Sequence, residues 1–163
     1  MVDVVNLIKD LRNKTGAGFL DCKKALLESN NNLDEAIEFL RKKGLAKASK
    51  KTSREANEGA VGIYSDENLI VIIKVNSETD FAAKSDTFLN FLDELGGFVL
   101  NHNNANISKE DFLNLSYKQE TITDFFKSMI AKIGENLILN DLTIIKNNQD
   151  YFSYYIHNSY RKN

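Results

Sequence analysis

Apolar residues recur at helical spacing in three short segments at the start of the chain. The first spans 3–14, the second spans about 19–28, and the third begins at Leu33. Their inward positions are Val4, Leu7, Ile8, Leu11, Cys22, Ala25, Leu26, Leu33, Ala36, Ile37 and Leu40. Gly44 fits a C-terminal cap of the third helix. The pattern predicts a compact three-helix bundle over residues 1–44.

The later part of the chain alternates between strand and helix patterns. Residues 59–65 and 69–76 predict a hairpin, and 137–146 and 151–157 predict two more strands. Two amphipathic helices lie between them, with the apolar stripes Phe88, Phe91, Leu92, Leu95, Val99 and Ile122, Phe125, Phe126, Met129, Ile130, Ile133. Because strands and helices occur in blocks, we expect an α+β core with a small antiparallel sheet and packed helices.

A basic stretch joins the two parts. Residues 41–54 contain seven Lys or Arg and no acidic residue, and the chain has no proline. This composition favours a solvated, partly helical linker. We therefore expect a three-helix domain at 1–44, a linker at 45–57, a core subdomain at 58–146 and a strand stub at 147–163.

The distribution of charge and the cysteine content narrow the class of protein. Residues 1–54 carry 12 basic and 7 acidic side chains, whereas residues 55–163 carry 9 basic and 16 acidic ones, which supports two modules with different surfaces. One cysteine, Cys22, excludes an internal disulfide and indicates a reducing compartment. No apolar run has membrane-spanning length and no signal-peptide pattern is present. We expect a cytoplasmic protein that does not enter a membrane.

Catalytic and metal sites find little support in the sequence. Lys23 and Lys24 favour a reactive thiolate at Cys22, but neither histidine, His102 or His157, has a recognisable partner. A buried core thiol is the better interpretation. No metal-ligand spacing and no glycine-rich phosphate-binding motif is present. We expect a protein that is not an enzyme, has no cofactor and no metal, and does not bind nucleotide directly.

The segment 75–81, Val-Asn-Ser-Glu-Thr-Asp-Phe, is the most informative short motif. It follows the apolar run 69–73, which is typical of a buried strand, and it opens a helix-like segment. Thr79, Asp80 and Phe81 therefore lie at a strand-to-helix turn, where a carboxylate and an aromatic ring can point outward. The alternative is a helix N-cap beside a phenylalanine of the core.

Three sequence blocks, in order, resemble bacterial-type translation elongation factor Ts. They are LRNKTGAGFLDCKKAL at 11–26, the turn at 78–81, and AKIGEN at 131–136. The resemblance implies an N-terminal bundle of the ubiquitin-associated type. It also implies a non-catalytic guanine-nucleotide exchange factor for the GTPase elongation factor Tu.

The same resemblance implies where the partner binds. In the family, the residues matching Asp80 and Phe81 insert between two helices of the GTPase domain, near its magnesium ion and phosphates. The implied contact at the magnesium site consists of Thr79, Asp80, Phe81 and Ala82. Other implied partner-binding residues are Arg12, Phe19, Leu20, Lys23, Ile133, Gly134 and His157. For Phe19 and Leu20, packing in the core is the alternative to a partner contact.

The end of the chain departs from the longer family members, which continue into a second core half. We expect either a fragment or a naturally short form. Short members pair as homodimers, and an unpaired strand at 151–157 would be an association-prone edge.

Two other functions remain as alternatives. One is an adaptor that binds a protein through the three-helix module and has no exchange activity. The other is nucleic-acid binding through 41–54. The lack of interleaved aromatic residues and the acidic second module argue against it.

Overall fold

The computed structural model describes residues 4–147, 152–157, 159 and 160. The N-terminal part consists of α1 (Val4–Thr15), α2 (Phe19–Glu28) and α3 (Leu33–Ser49). The core part consists of β1 (Glu58–Ser65), β2 (Leu69–Ser77), α4 (Asp80–Ala83), α5 (Asp86–His102), α6 (Lys109–Asn114), β3 (Ser116–Tyr117), β4 (Glu120–Thr121), α7 (Ile122–Ile133) and β5 (Leu137–Lys146). This order confirms the predicted α+β class.

The three N-terminal helices pack around a small core of their own. Its buried members are Ile8, Leu11, Cys22, Ala25, Leu26, Ala36 and Leu40. These residues lie at the inward positions that the helical spacing predicts. Val4 differs, since it lies in the first turn of α1 and is 40% exposed. The predicted bundle is thus confirmed.

The third helix is longer than the sequence pattern predicts. It continues past Gly44 to Ser49, so the predicted cap at Gly44 is wrong. A Cβ added to Gly44 would lie 3.1 Å from the Cβ of Ala131 in α7, which shows that α3 and α7 approach closely at this glycine. Ala48 is fully buried in the second core. The end of α3 therefore packs against the core part and is not a solvated linker.

The strands β1, β2 and β5 form one antiparallel sheet in the order β1-β2-β5. The hairpin and the strand at 137–146 are thus confirmed. Every second residue of the central strand β2 is buried in the core, namely Leu69, Val71, Ile73 and Val75. The same core includes most of the apolar side chains of α5 and α7, so the two helices cover one face of the sheet.

The apolar stripes of α5 and α7 meet through aromatic rings. The ring of Phe91 lies edge-on to Phe125 and Phe126, with ring centroids 5.0 and 4.9 Å apart. The hydrophobic pattern does not predict α6 or the β3–β4 hairpin, which precede α7, because such short elements have no hydrophobic period. None of the helices in the described part of the chain combines the length and apolar character that a bilayer crossing requires.

The strand predicted at 151–157 is wrong for the described residues of that segment. Residues 152–157 have no strand structure, and residue 151 lies outside the described residues. The prediction rested on aromatic and apolar residues with high β propensity, but a strand forms only where a neighbour supplies its hydrogen bonds. Tyr155 is 82% exposed. The homodimer inferred partly from this edge stays a prediction.

Two neighbouring glycines of α5 give a matched test of the packing between α5 and β1. A Cβ on Gly96 would lie 2.2 Å from the ring of Tyr64, whose hydroxyl donates to the Asp93 carboxylate at 3.0 Å. Nothing lies within 4 Å of a Cβ on Gly97. We expect Gly96→Ala to lower the free energy of unfolding by about 1–3 kcal/mol through overpacking. We expect Gly97→Ala to raise it by about 0.5–1 kcal/mol through helix propensity. Urea unfolding measures both, and equal effects would contradict the packing described.

Candidate functional site

The central strand β2 leads into the turn that carries Asp80 and Phe81. Thr79 is the N-cap of α4, and its hydroxyl oxygen accepts a hydrogen bond from the Ala82 amide at 3.2 Å. The Ser77 hydroxyl donates to the Thr79 carbonyl at 2.9 Å. Because α4 has four residues, it is too short to be stable by itself. The surrounding contacts therefore determine its conformation.

The turn presents an aromatic ring and a carboxylate to solvent. Phe81 is 83% exposed, and the side chain of Asp80 is 43% exposed. The predicted outward orientation is confirmed, and the alternative of a core phenylalanine is wrong. Ala82 is 8% exposed, so this member of the predicted set lies inside the protein.

Asp80 forms an ion pair with Lys84, one helical turn further on. Lys84 Nζ donates to Asp80 Oδ2 at 2.6 Å. This hydrogen bond lowers the pKa of the Asp80 carboxyl and raises the pKa of Lys84. The Nζ atom also lies 5.7 Å from the ring centre of Tyr160. Asp80 is therefore a carboxylate at neutral pH.

A loop at the end of α7 is hydrogen-bonded to this turn. The Glu135 carboxylate accepts from the Thr79 amide at 2.9 Å and from the Thr79 hydroxyl at 2.7 Å. In the other direction, the Glu78 carboxylate accepts from the Asn136 amide at 2.7 Å. We call Glu78, Thr79, Glu135 and Asn136, with these three bonds, the carboxylate clamp. Hydrogen bonds to a charged acceptor are stronger than neutral ones, so the clamp fixes two distant segments to each other.

The segment after α3 is attached to the same loop. Gly134 ends α7 with a φ of +89°, which glycine adopts at low cost. Lys51 Nζ donates to the carbonyl of this glycine. Asn136, which is 1% exposed, donates through Nδ2 to the carbonyls of Arg54 at 2.6 Å and Thr52 at 3.4 Å. The loop at 134–136 thus connects the N-terminal part to the exposed turn.

Most of the basic side chains in 41–54 have acidic or carbonyl partners. Arg41 and Lys42 pair with Glu38, Lys43 and Lys47 with Asp21, Lys51 with Gly134, and Arg54 with Glu78. The bonds from Lys43 and Lys47 lower the pKa of Asp21. Because these contacts use six of the seven basic residues, the stretch is not an open cationic surface, and nucleic-acid binding gains no support.

The second predicted set lies on the helical bundle. Phe19 and Leu20, in the first turn of α2, are 49% and 78% exposed, so the alternative of core packing is wrong. Arg12 and Lys23 are exposed as well. Leu27, which the sequence analysis did not select, is 66% exposed, seven residues after Leu20 on the same helix. The bundle thus exposes three apolar side chains of α2 as well as the cations Arg12 and Lys23.

The remaining predicted residues are divided between two places. Ile133 and Gly134 are half-buried and adjoin the carboxylate clamp. His157 is exposed and lines a groove beside β1 together with Tyr155 and Tyr160. Only Ile133 and Gly134 are therefore placed next to the loop that holds the turn.

Cys22 and the acidic residues form no reactive or metal-binding centre in the described part of the chain. Cys22 is fully buried, and this burial raises the pKa of its thiol, which confirms the interpretation as a core residue. No group of three or more His, Cys, Asp and Glu side chains that could hold a metal occurs among the described residues.

The two carboxylates of the clamp were not predicted from the sequence. Glu78 and Glu135 each lie within a quoted motif, directly before Thr79 and directly after Gly134. A signal was therefore present, because each motif contains an acidic residue next to residues whose amide or hydroxyl groups can donate a hydrogen bond. Their mutual contact depends on the fold, since the paired residues are 56 and 58 positions apart.

Substitution of Asn136 tests the connection between the linker segment and the loop. We expect Asn136→Ala to lower the free energy of unfolding by about 1–3 kcal/mol, because the Thr52 and Arg54 carbonyls lose the donor that the buried Asn136 supplies. Asn136→Asp should cost at least as much despite its similar shape, since a carboxylate cannot donate to the Thr52 and Arg54 carbonyls. Asn57→Ala, at an exposed position, is the control. Chemical denaturation measures the difference, and a stable Asn136→Asp variant would contradict the assignment.

The Asp80–Lys84 pair predicts a dependence on pH. Because the pKa of Asp80 is lowered in the folded chain, the pair contributes stability above the ordinary aspartate pKa of about 3.9 and loses it as the pH falls through the lowered pKa. Carboxyl-carbon NMR should show Asp80 titrating below the ordinary value. Lys84→Met should raise the pKa of Asp80 toward that value, because the largest cause of the lowering is removed. An unchanged pKa in this variant would exclude the ion pair in solution.

Comparison with known proteins agrees with this arrangement of motifs. The family model described as "Elongation factor TS" matches residues 78–162, just over half of the chain. Elongation factor Ts from Campylobacter hominis is 41% identical over 157 residues, which cover 95% of this chain and 44% of that relative. The chain thus spans less than half the length of this curated relative. The extent of the two matches shows that the chain belongs to the elongation factor Ts family.

Proposed function

We propose that this chain is a guanine-nucleotide exchange factor for elongation factor Tu. In this proposal, Asp80 and Phe81 enter the GTPase domain near its bound magnesium and phosphates and promote the release of GDP. Family membership supports the choice of partner. One observation supports the mechanism most directly. Phe81 is 83% exposed, and it lies on a turn that the carboxylate clamp bonds to the loop after α7.

The proposed mechanism depends on the strict geometry of magnesium. Mg²⁺ requires near-ideal octahedral coordination at short distances, so a small shift of the elements around it weakens the binding of GDP. Phe81 supplies a rigid apolar wedge whose burial drives that shift. Asp80 supplies a charged acceptor for donors that the shift releases, without itself becoming a metal ligand. Its exposed pair with Lys84 is screened by solvent and opens easily.

The free energy gained by burying one aromatic ring limits the acceleration of GDP release that Phe81 can produce alone. A thousandfold faster release requires about 4 kcal/mol, whereas burial of one aromatic side chain supplies roughly 1.5–3 kcal/mol. Additional binding energy must come from elsewhere. In the proposal it comes from Arg12, Phe19, Leu20 and Lys23 on the bundle, with Ile133, Gly134 and His157 as further contacts.

Linkage sets a condition on such a factor. If this chain lowers the affinity of the GTPase for GDP by a given ratio, GDP lowers the affinity of the GTPase for this chain by the same ratio. The factor is therefore released again when a nucleotide rebinds. The proposal includes no catalytic residue, no cofactor and no nucleotide site in this chain, and it places the chain in the cytoplasm.

An adaptor without exchange activity is the second candidate. The exposed residues Phe19, Leu20 and Leu27 support it, because they form a surface that can bind a protein without the turn. The two candidates differ in what Phe81 does. An adaptor binds through the bundle alone, whereas an exchange factor needs the ring.

Release of fluorescent GDP from elongation factor Tu tests the proposal. We expect the wild-type chain to accelerate release, and Phe81→Ala to reduce this acceleration by about ten- to hundredfold, the value of one buried ring. Ile145→Ala, which shortens another exposed apolar side chain, is the control and should leave release unchanged. Binding without acceleration by the wild type would favour the adaptor.

A further inference from the structure

The short helix α4 is anchored in the protein by two small side chains, Ala82 and Ala83, which are buried. Its largest side chain, Phe81, is 83% exposed and gains no such anchoring. A helix of one turn forms only when outside contacts stabilise it. The contacts of the cap residue Thr79 therefore contribute to the direction of the ring.

Glu135 holds Thr79 at two points. The hydroxyl of Thr79 has one proton, and it donates that proton to Glu135 Oε1 at 2.7 Å. The hydroxyl lone pairs are then available to the Ala82 amide, 3.2 Å away. The other oxygen, Oε2, accepts the backbone amide of Thr79 at 2.9 Å. One carboxylate thus sets both the backbone position and the hydroxyl orientation of the cap.

The other carboxylate of the clamp has a different range of contacts. Glu78 accepts from the Asn136 amide and also pairs with Arg54 at 3.5 Å, so it acts on the connection to the N-terminal part as well. In the described part of the chain, both hydrogen bonds of the Glu135 side chain go to Thr79. A change at Glu135 therefore acts on the turn selectively.

We propose that Glu135 is a positioning residue for nucleotide exchange, a role that rests on the proposed function. Its carboxylate holds the turn so that Phe81 already projects into solvent before the GTPase binds. An ordered ring loses less conformational freedom on insertion than a mobile one, so more of its burial energy is available to displace the nucleotide. Glu135 does this through Thr79 and touches neither nucleotide nor metal.

Kinetics on the intact chain test the role. We expect Glu135→Ala to lower the maximal rate of GDP release from elongation factor Tu by about tenfold, the value of a charge-assisted hydrogen bond. The concentration for half-maximal rate should change little. Thr79→Val removes the hydroxyl that donates to Glu135 and should lose part of the activity. Glu67→Ala, an exposed glutamate in the β1–β2 turn, is the control.

A double-mutant cycle distinguishes positioning from general destabilisation. Because Glu135 acts through the ring, Glu135→Ala should cost nothing further once Phe81→Ala is present. An equal loss in both backgrounds, with a lowered melting temperature, would overturn the positioning role. A wild-type chain that accelerates release together with a fully active Glu135→Ala variant would overturn it too.

Amide hydrogen exchange provides a readout that does not need the GTPase. In Glu135→Ala, exchange at the Thr79 and Ala82 amides should accelerate about tenfold or more, while that at Ile73 and Phe91 in the core stays unchanged. Unchanged exchange at Thr79 would overturn the positioning role even if release falls. A wild-type chain that does not accelerate GDP release overturns the proposed function instead, and exchange at Thr79 then reports separately on whether Glu135 holds the turn.

Discussion

The carboxylate clamp is the constraint on which the exposed turn depends. It joins the end of β2 to the end of α7 through two glutamates that accept hydrogen bonds in opposite directions. Without it, the four-residue helix α4 would keep its buried alanines, Ala82 and Ala83, but would lose the hydrogen bonds to charged acceptors that hold its cap. The charged acceptors lie in loops, but the segments they connect belong to the core sheet and its covering helix. The core sheet and its covering helix thus hold the turn, and with it the ring of Phe81, in place.

The N-terminal bundle is fixed to the same framework. The helix α3 passes close to α7 at Gly44, and Ala48 enters the second core. Lys51 and Asn136 then attach the following segment to the loop at 134–136. Two exposed apolar surfaces, one on the bundle and one on the turn, are therefore carried by connected elements. Such a connection suits a factor whose partner must be contacted at more than one point.

Much of this fold follows from the sequence, and the exceptions have physical causes. The helical stripes and the β1–β2 hairpin could be predicted because burial on one face leaves a period in the sequence. Gly44 misled the prediction, since its role is close approach between helices and not a cap. The prediction of a strand at 152–157 was wrong because β propensity does not supply a neighbouring strand.

The candidate site, like the fold, could be predicted from the sequence only in part. The outward direction of Phe81 follows from its place between a buried strand and a helix start. The partner of Glu135 could not be predicted, since no local pattern indicates which residue 56 positions away will be its donor. The residues themselves were visible in the motifs, but their contact is a property of the folded chain.

Photocrosslinking from position 81 tests the central claim most directly. A photoreactive phenylalanine in place of Phe81 would be irradiated with elongation factor Tu, and the same group at position 145 would serve as control. We predict that position 81 crosslinks to the GTPase domain beside its phosphate and magnesium site, and that position 145 does not. A complex that forms but crosslinks from position 81 to another domain, or not at all, would contradict it.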